Sequence, residues 1–538
     1  MATVRSKKVS NEMSEAYSRA QTRRSNWQTN WESVRKHLRP NVPSFQARTT
    51  HRGERGNQLS DSIYDSTAPW ALEQLASGLY SHMTDSTSRW FSLGLRGVPM
   101  DKLPYEAREW LEAVADRMYQ EFSNPVTRFQ QTLKEVFLDL CAFGTGIQYG
   151  NWDPKTKTMS FRSYALSTVS IDEGYNGMVD TVFRDFEMTK RQLLQEFPDA
   201  DMTDQVDAAP EDHEYIVTHA VRPNSDFGGK LDKKFKSVHF IDDQKLELSN
   251  SGYDTFPYQV PRWTTMSGEV YGRGPGLTAL PDIRLLNIMY KELIQAAQLA
   301  NRPPLVLDDD GFMLPISYQP ASILFRTPGT ADPVPLLGGG NFGITLEIMN
   351  QKRDQIAKSF HVDWLLRDKK KERQSVMEIN DDRTEMLKQL SSITGRLESD
   401  HFSPTIKNTF FYLARANELP PKPEGFPDVE LDIIYTSPAA KAQMATKADN
   451  ITRYLADTAP LQALDPRILE GVDMPALGQV LAVLRDVTPS VLLSPAALAA
   501  EKKKREEAAN SQAQVEQTGQ IAGALKDVAG AQSMGLGA

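Results

Sequence analysis

The sequence predicts an α+β fold, predominantly helical, from three observations. Apolar residues recur at three- and four-residue spacing through much of the first 150 residues and again beyond residue 280. Between about 145 and 250 the period shortens, and aromatic and β-branched runs alternate with turn signals. No apolar run approaches the roughly 18 residues of a spanning helix, and the mean hydropathy is −0.47, so a membrane protein is not expected.

In the N-terminal helical part, Ala107, Trp110/Leu111, Val114, Met118 and Phe122 line one face of a helix over 104–122 that begins at Pro104. Ser123-Asn124-Pro125 reads as stop and restart, with Asn124 as N-cap and Pro125 at the first helical position. The next helix aligns Phe129, Leu133, Val136/Phe137 and Leu140 and ends at Gly144. GIQYGNWD, KTMSFRSYA, TVSIDEG and GMVDTVFRDFEM come next as short strands, parted by Asp153-Pro154 and Asn176-Gly177, and 214–221 and 236–248 extend the same antiparallel sheet.

After the glycine-rich turn GEVYGRGPG (268–276), the run through Leu285, Leu286, Ile288, Met289, Leu293, Ile294 and Ala297 predicts a helix over 281–300. Seven prolines and five glycines in 301–340 exclude a long helix there, and Pro304–Leu307 and Ile323–Arg326 read as short strands. A second helix over 343–358 makes the whole a helical hairpin with a compact insert at its tip. A long helix from about Ser375 to Phe402 resumes after Ser403-Pro404 and runs to Arg415, and 429–437 (VELDIIYTS) is a strand that completes a sheet. Tyr454 is the last aromatic residue, so 438–500 reads as a separate helical region and 501–538 as a polar tail, disordered or helical.

The 538 residues carry 61 Lys+Arg against 70 Asp+Glu, a net charge of −9, and imply three to five domains at roughly 100–200 residues each. Residues 1–60 hold twelve Lys/Arg and four acids, which suits either contact with nucleic acid or an acidic partner, or a solvated helix. Conversely, 192–221 carries eight acids and no Lys or Arg, as a polar surface loop would. The N-terminus lacks the apolar core of a secretory signal. The one cysteine, Cys141, excludes an internal disulfide and a cysteine zinc site, and reads as a small core residue.

No catalytic constellation emerges. GTGIQYG (144–150) and YGRGPG (271–276) match neither phosphate-binding nor dinucleotide-binding spacing, and Pro275 removes an N–H that an anion site would use. Asp308-Asp309-Asp310-Gly311 lacks the alternation of a calcium loop. The eight histidines contain no H-E-x-x-H pair, although His213 and His219 could share a strand face, and no G-x-S-x-G is present. We therefore expect no catalytic residue, no metal and no cofactor. The run Arg367, Lys369, Lys370, Lys371 and Arg373 has no interleaved aromatics, so it suits sequence-blind phosphate attraction or a solvated helix end, not base stacking.

Several strings resemble the head-to-tail connector, or portal, proteins of short-tailed bacteriophages (podoviruses). The clearest is SGEVYGRGPGLTALPDIRLLNIMYKELIQAAQLANRPPLVL (267–307), with Gly268, Glu269, Tyr271, Gly272, Arg273 and Gly274 in the G-E-x-Y-G-R-G/S turn. Ala76-Ser77-Gly78-Leu79-Tyr80, Trp90-Phe91 and Glu378-Ile379 also match, and the likeness covers roughly 15–500. It implies a ring, about twelve subunits in that family, at one capsid vertex, conducting double-stranded DNA in packaging and ejection.

Carried onto this chain, the resemblance makes 1–60 a basic arm with the first helices and 61–274 an α+β wing. It makes 275–301 and 343–362 a helical-hairpin stem around a Pro/Gly-rich clip, 302–342. A channel loop would occupy 363–374, a long helix returning to the wing 375–437, a helical crown 438–500 and the tail 501–538. The implied partners are further copies of the chain, non-specific DNA, the terminase large subunit, a tail adaptor or tail tube protein, and the major capsid and scaffolding proteins. The place is the virion, after assembly in the host bacterial cytoplasm. Arg367, Lys369, Lys370, Lys371 and Arg373 would then face DNA, while Leu285, Leu286, Met289 and Leu293 would face a neighbouring subunit. Two readings of other classes stand beside this one: a Mg-dependent nucleic-acid-processing enzyme, and a ring-forming virion or scaffold protein that does not conduct DNA.

Overall fold

The computed structural model describes residues 11–46, 63–84, 89–98, 103–200, 208–225, 232–301, 305–306, 327–329, 334–335, 342–362, 393–423, 431–436, 438–462 and 474–485, with a few isolated positions besides. It divides into two compact units, one of 1–88 with 118–418 and one of 89–117 with 419–538.

The first unit opens with α1 (Asn11–Leu38) and α2 (Thr67–Met83), and its buried centre is α4 (Phe129–Phe143), which comes after α3 (Tyr105–Ser123). The restart between α3 and α4 is a single 3₁₀ turn, Pro125–Thr127, where the Asn124 side chain accepts the Val126 N–H as the N-cap reading requires. Leu133, Val136, Phe137, Leu140, Cys141 and Phe143 on α4 are all fully buried.

β2 (Gln148–Asp153), β3 (Thr158–Ser163) and β9 (Tyr258–Gln259) form a three-stranded antiparallel sheet in the order β3-β2-β9. β4 (Val169–Glu173), β5 (Val179–Thr189), β6 (Glu214–Pro223), β7 (Phe235–Ile241) and β8 (Leu246–Tyr253) form a five-stranded antiparallel meander in sequence order. Alternation along the strands gives this sheet two apolar faces. One packs Phe183, Ala220, Val238 and Phe240 against Met13, Tyr17 and Ala20 of α1. The other packs Tyr215, Val217, Ile241 and Leu246 against Leu193 of α5 (Lys190–Glu196) and Val206. Among the described residues, the acidic stretch 192–221 is thus partly a packed cover with Glu196, Asp199, Glu211 and Asp212 exposed, and α5 starts in a Thr189/Gln192 capping box.

The hairpin is present as α6 (Pro275–Asn301) and α7 (Phe342–Ser359), and between them β10 (Leu305–Val306) pairs with β11 (Val334–Pro335). The expected strand Ile323–Arg326 and residues 375–392 of the expected long helix lie outside the described residues. From 393 the chain is helical, and it passes through a π turn, Glu398–Phe402, before α8 (Ser403–Arg415).

In the second unit, β1 (Phe91–Leu95) pairs antiparallel with β12 (Leu431–Tyr435), Phe91 opposite Tyr435. The strand read at 429–437 therefore finds a partner in SRWFSLGL, whose strand character the periodicity did not reveal. Trp110 donates from Nε1 to Pro420 O at 3.0 Å and meets Phe426 edge-on, tying 89–117 to the C-terminal segment. α9 (Pro438–Gln462) and α10 (Met474–Leu484) supply its helices. No helix among the described residues is long and apolar enough to cross a membrane.

Candidate functional site

The glycine-rich turn 268–276 is a close-packing device. A Cβ at Gly272 would overlap the carbonyl oxygen of Gly144, and one at Gly274 would stand 2.8 Å from Leu140 O. The start of α6 thereby lies backbone to backbone against the C-terminal end of α4, where Trp263 N–H donates to Gly144 O at 2.9 Å. Both glycine strings met in the sequence, 144–150 and 271–276, are thus two sides of one contact, and their turn reading holds.

Between these glycines stands Tyr271, fully buried and edge-on to Trp31 at 4.9 Å. Its hydroxyl oxygen accepts Ile171 N–H at 3.1 Å, and burial pushes its pKa up to about 12. Arg273 donates to Glu269 at 2.6 Å and lies 4.8 Å over the Trp27 ring, and its hydrogen bond holds Glu269 below the usual carboxylate range. The Glu, Tyr and Arg of the motif therefore fasten the root of α6 to α1 and β4. A polar cleft of about 480 Å³, floored by Trp27 and Tyr271 and lined by Arg23, Glu173, Glu269 and Arg273, opens there.

Farther along, α6 and α7 pack on each other, joined near the base by Lys352–Asp282 (2.8 Å), while Arg353 ties α7 to Asp65 just ahead of α2 (2.9 Å). At about 100° per residue, Leu285, Ile288 and Leu299 fall on one side of α6 and Ile294 on the opposite side. On α7, Ile344 and Ile348 share one side and Leu346 takes the other. All seven are exposed.

The four expected neighbour-facing residues divide. Leu285 is 42% exposed, but Leu286, about 100° further round, points into the hairpin and is only 2% exposed, so it belongs to the subunit's own core. Met289 and Leu293, on the flank between them, are half-buried. Ile288 and Ile294, named in the apolar run but not among the four, are exposed, as are Leu299, Ile344, Leu346 and Ile348, which the sequence reading did not single out. A helical-wheel phase set on Leu286 as inward would have found the three on α6.

Among the described residues of the basic N-terminal segment, four arginines are spent internally. Arg23 pairs with Asp172, Arg24 is buried and donates to Ser167 O, Arg35 pairs with Glu32 at 2.8 Å, and Arg39 pairs with Asp139 and Glu135. Arg5, Lys7, Lys8, Arg48, Arg52 and Arg55 lie outside the described residues. Arg367, Lys369, Lys370, Lys371 and Arg373 lie outside them too, as does Asp308-Asp309-Asp310-Gly311.

His213 and His219 do not form a pair. His219 instead stacks on His239 of the next strand, ring centroids 4.2 Å apart, with Tyr258 Oη 2.9 Å from its Nδ1. Burial lowers both imidazoles, His239 to about 4. Cys141 is buried, which pushes its thiol pKa up.

Comparison with known proteins places these features. The chain is 27% identical over 477 residues to the portal protein of Salmonella phage epsilon15, covering 85% of this chain and 84% of that protein. It is 26% identical over 494 residues to the probable portal protein of Bordetella phage BPP-1, covering 88% and 86%. The family described as bacteriophage head to tail connecting protein matches residues 10–492. That span takes in the glycine turn, the hairpin and both units, and the chain belongs to this family of phage head-to-tail connecting proteins.

Proposed function

We propose that the chain is a portal subunit: copies of it close into a ring at one capsid vertex, through which double-stranded DNA enters in packaging and leaves in ejection. The observation that carries this reading is the α6–α7 hairpin, with exposed aliphatic side chains on two opposite sides of each helix. Apolar surface of this kind marks a protein contact. A contact needed on two sides by every copy fits a head-to-tail interface, which uses two different faces of one chain and closes into a ring where the rotation between copies permits. The family membership and the two phage portal proteins that match most of the chain point the same way.

On this reading the subunit binds and conducts, with no active site of its own, and ATP hydrolysis belongs to the terminase that docks on the ring. The tail adaptor takes that place later, and the capsid and scaffolding proteins surround the ring within the virion. The run Lys369, Lys370, Lys371 and Arg373 would grip DNA in the channel by phosphate contact alone. Arg367 would flank it.

The test is reconstitution. Capsids assembled from the phage's own shell and scaffolding proteins, with and without this chain, are offered DNA, terminase and ATP. DNA protected from nuclease only in the presence of the chain supports the reading, and equal protection without it overturns the reading.

A further inference from the structure

We propose that Lys291 of each subunit pairs with Glu292 of the next around the ring, and that this pair sets the register of the apolar hairpin contact. The inference rests on the ring reading above and adds to it which faces meet.

Lys291 and Glu292 are consecutive on α6, so they differ by about 1.5 Å in height and 100° in direction. Adjacent helical residues cannot face each other, and neither side chain makes an ion pair within the subunit among the described residues, although both are exposed. Each lies on a different apolar side. Lys291 shares its side with Ile294. Glu292 shares its side with Leu285, Ile288 and Leu299.

Among the described residues, one side of α6 therefore carries an exposed aliphatic with a lysine that makes no ion pair, and the other carries exposed aliphatics with a glutamate that makes none. Rotation about a ring axis brings the first side of one copy against the second side of its neighbour with heights preserved. Residues at matching height then meet, and among the described residues of the hairpin Lys291 and Glu292 present opposite charges at one level. The occupant of each face is a second copy of this chain. Complementary charges at such a contact fix register and reject misaligned partners.

The experiment compares the full chain with Lys291→Glu, Glu292→Lys and the double reversal, by mass photometry over a dilution series at about 0.1 M and 1 M salt. Each single reversal sets like charges against each other around the whole ring. We expect the concentration for half-assembly to rise about tenfold at the lower salt, with a smaller rise at the higher. The double reversal restores the pair with its poles exchanged and should assemble like the wild type. Circular dichroism of the dissociated subunits should be unchanged, since both side chains are exposed. If single reversals assemble as readily as the wild type, or the double is no better than the singles, the pairing is wrong while the ring stands. A wild-type chain that stays monomeric overturns both.

Discussion

Gly144 and Gly272 lie backbone against backbone: a methyl group on either would overlap the carbonyl oxygen of the other. This contact welds the buried helix α4 to the root of the hairpin, and it gives the glycine-rich string there a packing role.

Gly272→Ala should therefore destabilise the first unit by about 1–3 kcal/mol, the usual range for overpacking where backbone cannot retreat. Gly144→Ala should cost more, because φ is +87° there and the left-handed conformation adds about 1–2 kcal/mol. Gly268→Ala is the control: φ is +83° but no atom lies within 4 Å of its added Cβ, so only the conformational cost of about 1–2 kcal/mol remains. Urea midpoints of the three variants check this order. Equal shifts at 144 and 268 would remove the weld.

Leu285 and Leu286 should respond in opposite ways to the same substitution. Leu286→Asp places a carboxylate in the subunit core at a cost of several kcal/mol and should unfold or aggregate the subunit. Leu285→Asp should change subunit stability by about 0.5 kcal/mol or less, yet leave folded subunits that do not close rings. Thermal melts and size-exclusion profiles separate the two outcomes. Rings of normal stability from Leu285→Asp would take that side of the hairpin out of the interface.

Acid should loosen the fold well above the range where carboxylates titrate. Burial lowers His401 to about 3 and His239 to about 4, and lowers His219 as well. Unfolded imidazoles take up protons near pH 6.5, and the folded ones do so only far below that. Their contribution is full above about 6.5 and is lost as pH falls toward the folded values, by about 1.4 kcal/mol per pH unit for each histidine. Asp139, which burial pushes up to about 6, works the other way between roughly 4 and 6, one proton against three. Denaturant midpoints from pH 7 to 4 should fall, and His401→Gln should flatten the slope while lowering stability at pH 7. A flat wild-type profile would mean that these imidazoles are solvated.

The triple variant Lys369→Ala/Lys370→Ala/Lys371→Ala should assemble normal rings but retain packaged DNA poorly. Contacts of this kind are screened at physiological salt, where the Debye length is about 8 Å, so the grip is weak and releases easily. DNA content per capsid over a salt series is the readout. Unchanged retention with intact rings would make the run a solvated helix end.

Much of this fold could be read from the chain because local chemistry dictates it. The Asn124-Pro125 restart, the Gly144 stop and the second hairpin helix arise from caps, breakers and period and are found where expected, while α6 begins at Pro275, six residues ahead of the expected start, with Pro281 inside it. β1 was missed because FSLGL has no alternation to show: four of its five residues are buried. Its partner β12 lies more than 300 residues away. The basic N-terminal segment left two readings open for a related reason. Arg23, Arg24 and Arg39 find Asp172, Ser167 and Asp139 only after the chain has folded, so composition could not separate internal pairs from a polyanion-binding surface. The hairpin stripe was too broad to be phased, and Leu286 could be turned inward only once α6 had α4 and α7 beside it.

The central claim is that this chain closes a ring around a channel, and images of the purified protein in negative stain test it most directly. Uniform rings with a central opening wide enough for a DNA duplex are expected. A stable monomer, or an assembly with no opening, would contradict it.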